Sequence, residues 1–316
     1  MASLEVRGLT VTWSRPLVMG VLNANPDSFS DPGTRTPAAV LRHAAALVDA
    51  GAGAVDVGAQ SAITGRAPAD PADEASAVTP VVAALVAEWP QLLVSVDTYK
   101  PAVAAAALDA GAHVVNDVSG LLDPALAGVC AAGGAGLVVM HTAAPPLVRR
   151  QDPALYRDVA AEVAAFLADR VERALAAGVG RGSIVVDPGV DFAKTPAQSV
   201  RLLRDIDTVA VLGLPILLAL SRKDFVGALT GRPPAGRDAG TLGAIAALRR
   251  VPGQILRVHD VAATVDMLTV LDAVAGDQPV PDGLALAEEL RHQPGPEDGS
   301  ATGGWPSRPG RASPPR

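Results

Sequence analysis

The sequence has few aromatic residues, and this scarcity restricts the kind of core that it can build. Phe, Trp and Tyr together make up 3% of the 316 residues, whereas hydrophobic residues as a whole reach 49%. The core must therefore consist of packed Ala, Val and Leu. Such a composition suits helices on a parallel sheet better than an aromatic-rich sandwich. The length allows one large domain or two ordinary ones.

Three further shortages exclude other classes of protein. The one cysteine, Cys130, rules out an intramolecular disulfide framework and a Cys-based zinc site, and we expect it to be inert packing. A net charge of −7 and a pI near 5.2 argue against nucleic acid or a membrane surface as partner. The longest apolar stretch, residues 209–220, is shorter than the roughly 20 residues of a spanning helix. The first residues lack the apolar core of a signal peptide, so we expect a cytoplasmic location.

What the sequence does contain is a regular alternation of short β-branched runs with longer Ala- and Leu-rich segments of helical spacing, such as 37–50 and 153–177. Near-continuous apolar strands that alternate with helices predict a parallel sheet. Eight strand–helix units in roughly 260 residues are the size of a (β/α)8 barrel. A doubly wound open sheet is the alternative, although no Gly-x-Gly-x-x-Gly follows the first strand. The predicted strands are 17–22, 54–57, 92–96, 114–115, 137–140, 184–186, 216–220 and 255–258.

Composition also predicts the domain organisation. We expect an N-terminal lead-in over residues 1–15, a single barrel domain over 16–277 and a C-terminal extension over 278–316. The extension becomes rich in Pro, Gly and Ser and loses all periodicity, so we expect it to be disordered from about residue 293.

The predicted strands end in polar side chains, which is unusual for segments that are otherwise apolar. In a parallel barrel the C-terminal strand ends meet at one rim, where barrel enzymes place their chemistry. The polar strand ends are Asn23, Asp97, Asn116, His141, Asp187, the run 221–223, and the pair Arg257 and His259.

Each of these residues also has a purely structural interpretation. An Asp after a strand often caps the next helix, and Asp117 and Asp260 fit that role. The run 221–223 could be a solvated helix start, and we expect His43 and His113 to be structural. The structural interpretation weakens because every polar cluster falls on the same predicted rim.

The chemistry of these groups is narrow. Asp97, Asn116 and Asp187 offer carboxylate acceptors and an amide that both donates and accepts, a set that matches a flat heterocycle such as a pterin or a guanine-like ring. Lys223, Arg257 and His259 come from the last two strands, where barrels commonly bind phosphate. The neutral oxygen of Asn23 could complete a Mg²⁺ shell together with diphosphate oxygens. We therefore expect a heterocycle that carries a diphosphate leaving group.

With these motifs the chain resembles the dihydropteroate synthase family from about residue 17 to about residue 274. The segments that carry the resemblance are 19–31, 95–100, 116–120, 187–189, 221–223 and 257–260. The resemblance implies a transferase of folate biosynthesis that joins p-aminobenzoate to (7,8-dihydropterin-6-yl)methyl diphosphate, with Mg²⁺ as cofactor. It also implies a homodimer.

The resemblance assigns a role to individual residues. It implies that Lys223, Arg257 and His259 are catalytic and that Mg²⁺ binds at Asn23. It implies a p-aminobenzoate pocket bordered by Ser221, Lys223 and Phe192. The pterin ring would be held by Asp97, Asn116, Asp187, Lys223 and Met140, and the diphosphate by Asn23, Arg257, His259 and Arg66.

The loop after the second predicted strand departs from the family pattern. Where the family has Gly-Gly-Glu-Ser-Thr-Arg-Pro-Gly, residues 58–65 read Gly-Ala-Gln-Ser-Ala-Ile-Thr-Gly. Ala62, Ile63 and Thr64 thus replace Thr, Arg and Pro, and we expect Arg66 to substitute for the lost Arg. Three alternatives to an active synthase are a pterin-binding paralogue with little activity, a pterin-binding methyltransferase domain that meets a corrinoid partner, and a non-enzymatic scaffold.

Overall fold

The centre of the molecule is a closed barrel of eight parallel strands. The structure is a computed structural model that describes residues 1–24, 37–60, 65 and 67–291. A β-hairpin of β1 (Ala2–Val6) and β2 (Leu9–Trp13) precedes the barrel. The barrel strands follow in chain order, and each pairs with the next until the last closes on the first. They are β3 (Leu17–Asn23), β4 (Ala54–Gly58), β5 (Leu93–Asp97), β6 (Val114–Asp117), β7 (Gly136–Met140), β8 (Ile184–Asp187), β9 (Ile216–Leu218) and β10 (Gln254–Val258).

Helices connect the strands and surround the barrel, so the predicted (β/α)8 architecture is confirmed and the open sheet is excluded. Short 3₁₀ turns lie at Arg181–Ser183, Pro234–Gly236 and Glu288–Leu290. The helices are α1 (Pro37–Asp49), α2 (Pro71–Glu88), α3 (Pro101–Asp109), α4 (Ala125–Gly133), α5 (Val159–Ala176), α6 (Pro196–Arg204), α7 (Asp207–Ala210), α8 (Asp224–Thr230), α9 (Asp238–Ala247) and α10 (Val261–Ala275). No helix in the described ranges is long and apolar enough to cross a membrane.

Two local predictions about helix starts are wrong. The helix expected from residue 153 begins at Val159, because the Asp158 carboxylate accepts from the amides of Ala160 and Ala161 and so caps the helix there. Asp117 does not cap a helix either. Its carboxylate binds the amides of Ser119 and Leu121 inside the connecting loop.

Other structural predictions are confirmed. Asp260 caps α10 by accepting from the amide of Ala263. His113 accepts at Nδ1 from the amide of Val94, 3.1 Å away, which is a structural use of the ring. Cys130 is fully buried in α4, and burial raises the pKa of its thiol to about 12, so it is inert packing.

The core has an outer and an inner layer. The outer layer, between strands and helices, consists mainly of Val, Leu and Ala side chains. The inner layer fills the N-terminal half of the barrel and is closed from below by Leu4, Val6 and Trp13 of the hairpin. Its strand residues are Met19, Ala54, Leu93, Val114, Val138, Val185, Leu217 and Ile255.

The inner layer also fixes which side chains face inward at the other end of the barrel. Because side chains alternate along a strand, the residue two positions after an inward-facing residue faces inward too. Ala54 is thus followed by Asp56, and Ile255 is followed by Arg257. The same step leads to Ser95, Asn116, Met140 and Asp187. Except at Met140, these inward positions are apolar at the N-terminal ends of the strands and polar at their C-terminal ends.

The chain divides into two compact units, 1–272 and 273–316. The sequence placed the boundary after residue 277, and its first 15 residues contain the hairpin. Within the described part of the second unit, the end of α10 is followed by a 3₁₀ turn at Glu288–Leu290. The expectations about Arg66, about Ala62, Ile63 and Thr64, and about the tail from residue 293 lie outside the described residues.

Candidate active site

The inward-facing polar residues meet around the carboxylate of Asp56, which is fully buried inside the barrel. Ser95 Oγ donates to Oδ1 at 2.6 Å, and Asn116 Nδ2 donates to Oδ2 at 2.9 Å. Arg257 Nε donates to the same Oδ2 at 2.6 Å. A buried carboxylate is stable only when it is paired and hydrogen-bonded, and these donors satisfy both of its oxygens.

Arg257 joins Asp56 to a second carboxylate, that of Asp97 at the end of β5. Arg257 Nη2 donates to Asp97 Oδ2 at 2.9 Å. Both side chains are partly accessible, at 21% for Arg257 and 26% for Asp97, so they lie where the barrel opens. The expected cation at the end of β10 is thus an ion-paired bridge between two acids, which uses two of its five N–H donors.

The two acids and the guanidinium change each other's protonation. Desolvation raises the pKa of Asp97 to about 7, because the favourable charge of Arg257 is partly offset by the negative charge of Asp56. Burial alone would lower the pKa of Arg257, but Asp56 and Asp97 outweigh it and raise that pKa. A proton therefore moves on and off Asp97 near neutral pH.

Asn116 contributes an unused acceptor to the same place. Its side chain is 2% exposed, and its Nδ2 is committed to Asp56. In the part of the chain that the structure describes, its Oδ1 is buried without a hydrogen-bond partner. A buried carbonyl oxygen without a partner costs about 1 to 3 kcal/mol, so this atom favours a ligand that donates to it.

Asp187, at the end of β8, is the third inward-facing acid and lies in a turn that only glycine allows. Its Oδ1 accepts from the amide of Gly189 at 2.7 Å. Gly189 has φ of 65°, and a Cβ there would collide with the carbonyl oxygen of His141. Burial raises the pKa of Asp187, although the Gly189 amide and Lys223 counteract part of that rise. Met140 pairs with Asp187 across β7 and β8 and is fully buried.

Lys223 and Phe192 form a neighbouring contact on the same side of the barrel. The ammonium nitrogen of Lys223 lies 4.2 Å from the centroid of the Phe192 ring, which is a cation–π distance. Burial lowers the pKa of Lys223, and the nearby Asp191 and Asp187 oppose that change. The pair presents an aromatic face and a cation together.

Ser221 and His259 form a third contact, between the ends of β9 and β10. The imidazole Nδ1 lies 2.9 Å from Ser221 Oγ, and the His259 amide donates to the same oxygen at 3.2 Å. Burial, together with Arg222 and Arg257, lowers the pKa of His259 to about 4. At neutral pH the ligand-free imidazole of His259 is therefore uncharged and acts as a hydrogen-bonding group.

The comparisons with known proteins agree with this geometry. The sequence model of the family described as "Pterin binding enzyme" matches residues 19–259. A dihydropteroate synthase of Mycobacterium leprae is 44% identical over 266 residues, which are 81% of this chain and 92% of that protein.

The chain belongs to the dihydropteroate synthase family. A solved Xanthomonas albilineans dihydropteroate synthase with 4-aminobenzoic acid superposes with a TM-score of 0.80 at 40% identity, over 88% of this chain and 99% of that one. A Burkholderia cenocepacia dihydropteroate synthase complexed with 7,8-dihydropteroate gives 0.78 at 37% identity, over 87% and 97%. The chain is accordingly a dihydropteroate synthase by function, a transferase of folate biosynthesis.

The dihydropteroate synthase site also contains residues that the sequence analysis did not identify. Asp56 is the clearest, because it organises Ser95, Asn116 and Arg257. A signal for it exists in the sequence. It is a lone acid inside the apolar strand Ala-Val-Asp-Val-Gly, two residues after Ala54, and an inward-facing acid there requires a buried partner.

The divergent loop after β4 is anchored at its base by a second cluster that the sequence did not predict. Lys100 Nζ donates to Gln60 Oε1 and to the carbonyl of Ala69, both at 2.7 Å, and is ion-paired with Glu74. Gln60 stands where the family pattern has Glu. The anchor of this chain thus combines one carboxylate, that of Glu74, with the amide of Gln60 at the position of the family Glu.

Proposed function

We propose that this chain condenses p-aminobenzoate with (7,8-dihydropterin-6-yl)methyl diphosphate in the open end of the barrel, and that it releases 7,8-dihydropteroate and diphosphate. The observation that carries the proposal is the buried acceptor Asn116 Oδ1, which lies with Asp97 and Asp187 on the inward face of the barrel. Three acceptors at the C-terminal ends of β5, β6 and β8 suit the amino and N–H groups of a pterin edge.

The pterin subsite contains two acids, Asp97 and Asp187, whose pKa values are both raised by burial. Asp97, with its pKa near 7, accepts from pterin donors as a carboxylate, and those donors favour its ionised form. Asp187 and Met140 close the subsite from β8 and β7, and Lys223 borders it. The carboxylates also stabilise the positive charge that develops on the pterin methylene as the leaving group departs.

The diphosphate subsite is formed by Arg257, His259, Asn23 and, in the loop after β4, Arg66. Arg257 keeps donors beyond the two that bind Asp56 and Asp97, and these suit phosphate oxygens. His259 becomes a better donor when an anion raises its pKa. The C–O bond to diphosphate breaks with its electron pair on the leaving oxygen, and these groups stabilise that charge.

The p-aminobenzoate subsite is bordered by Phe192, Ser221 and Lys223. The ring of Phe192 offers an aromatic face, and the ammonium of Lys223 offers a partner for a carboxylate. The amine lone pair attacks the pterin methylene and forms the new C–N bond. The amine proton then leaves to water or to diphosphate, so no strong base is needed.

Mg²⁺ fits the donor set at Asn23. This residue ends β3 with an exposed side chain that supplies one neutral oxygen. Within the described ranges no group of three or more His, Cys, Asp or Glu residues could hold a metal alone. Mg²⁺ commonly keeps several waters and binds one or two protein oxygens plus substrate phosphates, so a single Asn suffices. When bound, the ion neutralises charge on the departing diphosphate.

Two further expectations belong to the same proposal. We expect the enzyme to act in the cytoplasm and to form a homodimer, as the family resemblance implies. Its partners are then its two small-molecule substrates and a second copy of the chain. Sedimentation of the purified chain at micromolar concentration tests the dimer, and a monomeric species would contradict it.

The test of the activity is direct. Purified protein with Mg²⁺, the pterin diphosphate and p-aminobenzoate should form dihydropteroate and release one diphosphate per product. Pterin binding without diphosphate release would instead favour a pterin-binding paralogue, for which the divergent loop after β4 is the supporting observation.

Arg66 gives that loop a test of its own. We expect Arg66 to take over the role of the family Arg, whose position Ile63 occupies in this chain. Loss of one charge-assisted contact costs about 1.5 to 3 kcal/mol, so Arg66→Ala should weaken diphosphate binding by roughly tenfold to a hundredfold. Unchanged turnover and unchanged diphosphate affinity in this variant would rule out the substitution by Arg66.

A further inference from the structure

Lys194 is a completely buried lysine in the loop between β8 and α6, and the activity proposed above does not use it. Its side chain is 0% exposed. The ammonium nitrogen lies 2.8 Å from Nδ1 of His141, 2.8 Å from the carbonyl oxygen of Gly189 and 3.1 Å from that of Phe192. Burying a charged group is unfavourable unless hydrogen bonds replace its water, so a lysine in this place has a specific task.

The acceptors of Lys194 lie at both ends of one short segment. Gly189 and Phe192 begin and end a turn in which the Phe192 amide donates to the Gly189 carbonyl at 3.0 Å. The third acceptor, His141, follows β7, and its amide donates to the Asp187 carbonyl. Lys194 therefore ties the end of the neighbouring strand to the turn that follows Asp187.

The backbone of this turn is unusual and needs such a tie. Asp191, inside the turn, and Ala193, directly after it, both have positive φ, 66° and 49°, although neither is glycine. Left-handed conformations of side-chain-bearing residues are unfavourable and persist only where the surroundings enforce them. Lys194 supplies part of this enforcement from inside the fold, and the Tyr156 hydroxyl, which donates to the Ala193 carbonyl at 3.1 Å, supplies another part.

The turn decides where the ring of Phe192 lies. That ring faces Lys223 at 4.2 Å, and the pair borders the subsite assigned above to p-aminobenzoate. Lys194 holds the main chain of Phe192, and Lys223 contacts its ring. The two lysines thus act on opposite parts of the same residue, one from the core and one from the substrate side.

We propose that Lys194 is a positioning residue for the second substrate: its buried ammonium holds the turn 189–192 so that the Phe192 ring stands against Lys223. The identity of that substrate rests on the proposed function, whereas the effect of Lys194 on the turn does not. His141 takes part in the same contact. It directly follows β7, and its neutral imidazole accepts a hydrogen bond from the Lys194 ammonium.

The variant that tests this is Lys194→Met, which fills the same volume with an apolar chain and cannot donate. We expect KM for p-aminobenzoate to rise about tenfold, as for the loss of a hydrogen bond or two, while KM for the pterin diphosphate changes by less than about threefold. Val114→Ala, in the inner apolar layer, is the control for general destabilisation, and it should leave the ratio of the two KM values unchanged.

A double-mutant cycle shows whether Lys194 acts through Phe192. In the Phe192→Ala background, Lys194→Met should raise KM for p-aminobenzoate by less than about twofold, since the ring that it positions is gone. If the two effects multiply independently, or if both KM values rise equally in the single variant, Lys194 is not a positioning residue for this substrate and the proposal is overturned.

A measurement that needs no turnover separates this proposal from the proposed function. Amide hydrogen exchange in residues 189–194 should be faster in Lys194→Met than in the wild type, with β3 to β6 unchanged. Unaltered exchange in that segment would overturn the proposal that Lys194 holds the turn. If the wild type forms no dihydropteroate but Lys194→Met still exchanges faster than the wild type in this segment, the positioning role of Lys194 is supported and the proposed activity is contradicted. If Lys194→Met does not fold, the test uses Lys194→Ala with and without added propylammonium, which replaces the missing part of the side chain. Slower amide exchange in residues 189–194 when propylammonium is present supports the proposal. Unchanged exchange overturns it.

Discussion

The two sides of the barrel opening carry buried charge in different ways. On the carboxylate side, Asp56, Asp97 and Asn116 come together around one guanidinium, that of Arg257. On the lysine side, Lys194 is held by neutral acceptors and Lys223 lies against an aromatic ring. Burial raises the pKa of Asp97 to about 7 and lowers the pKa of Lys194 to about the same value.

This difference corresponds to two tasks in the proposed function: one side binds the substrate, and the other holds the conformation of the Phe192 turn. In the function proposed above, the carboxylate side offers acceptors to the pterin, and the protonation of Asp97 changes when the pterin binds. On the lysine side, the most deeply buried ammonium, that of Lys194, donates to the main chain of the Phe192 turn. In the proposed function it does not contact a substrate. Each side therefore responds differently to substitution and to pH, and the following experiments measure that difference.

The largest effect is expected from Arg257→Met, which removes the cation of the carboxylate side. Asp56 is then fully buried without its ion partner, and breaking such a pair costs about 3 to 5 kcal/mol of unfolding free energy. We also expect kcat/KM to fall by about a thousandfold, since the leaving group loses a contact and the two acids repel each other. Urea unfolding and steady-state kinetics measure the two effects.

The double variant Asp56→Asn with Arg257→Met is the control for this prediction. Replacing both partners removes the unpaired charge, so most of the lost stability should return while the activity stays low. If the double variant were as unstable as Arg257→Met alone, the ion pair would not be what the guanidinium contributes to folding.

The next effect is a pH dependence of pterin binding that comes from Asp97. If the carboxylate form binds, a pKa of about 7 makes the affinity of a pterin analogue fall about 25-fold between pH 7.5 and pH 5.5. Without ligand, the raised pKa stabilises the fold at low pH, and this contribution is lost as the pH rises from about 4 through 7. Calorimetric titration in several buffers should show proton release on binding near pH 6.5.

Asp97→Asn is the matched variant, because the amide keeps the shape and does not titrate in this range. Its affinity should be lower at pH 7.5 and independent of pH, with no proton release. A wild-type affinity that is equally flat would mean that another group, and not Asp97, meets the pterin donors.

On the lysine side the slope of stability against pH has the opposite sign. Lys194 has a folded pKa of about 7 against 10.5 when unfolded, so between these values the unfolded chain binds more protons and stability rises with pH. From pH 7 to pH 9 the wild type should gain about 2 kcal/mol relative to Lys194→Met. Parallel urea unfolding at each pH measures this, and a constant difference between the two proteins would contradict it.

The sequence predicted the barrel well because its signals are periodic and local. Apolar strands of the right length recur eight times, and helical segments separate them, so both topology and rim follow from general rules. Asp97, Asn116, Asp187 and Arg257 stood out because they end apolar runs.

The contacts between the polar residues could not be predicted in the same way. Arg257 reaches Asp56 across 201 positions of sequence, and Lys194 reaches His141 across 53. Such pairings depend on which side chains turn inward and on how a loop bends. The sequence analysis therefore assigned Arg257 to the diphosphate and did not identify its carboxylate partners, and it assigned no role to Lys194. Inward alternation from Ala54 would have identified Asp56 as a buried acid in need of a partner.

The smallest effect concerns the backbone of the Phe192 turn. Asp191 has φ of 66°, and its carboxylate accepts from Ser199 Oγ and from the amide of Asp224 at the start of α8. Asp191→Gly and Asp191→Ala both lose these hydrogen bonds, but only Gly adopts the left-handed conformation without strain. The Gly variant should therefore be more stable than the Ala variant by about 1 kcal/mol in urea unfolding. Because the two variants differ by one methyl group at a fixed loss of contacts, the comparison reports the strain of the turn, reduced by the greater flexibility that Gly gives the unfolded chain. Equal stabilities would mean that the turn relaxes once Asp191 is gone, and that Lys194 alone does not hold its shape.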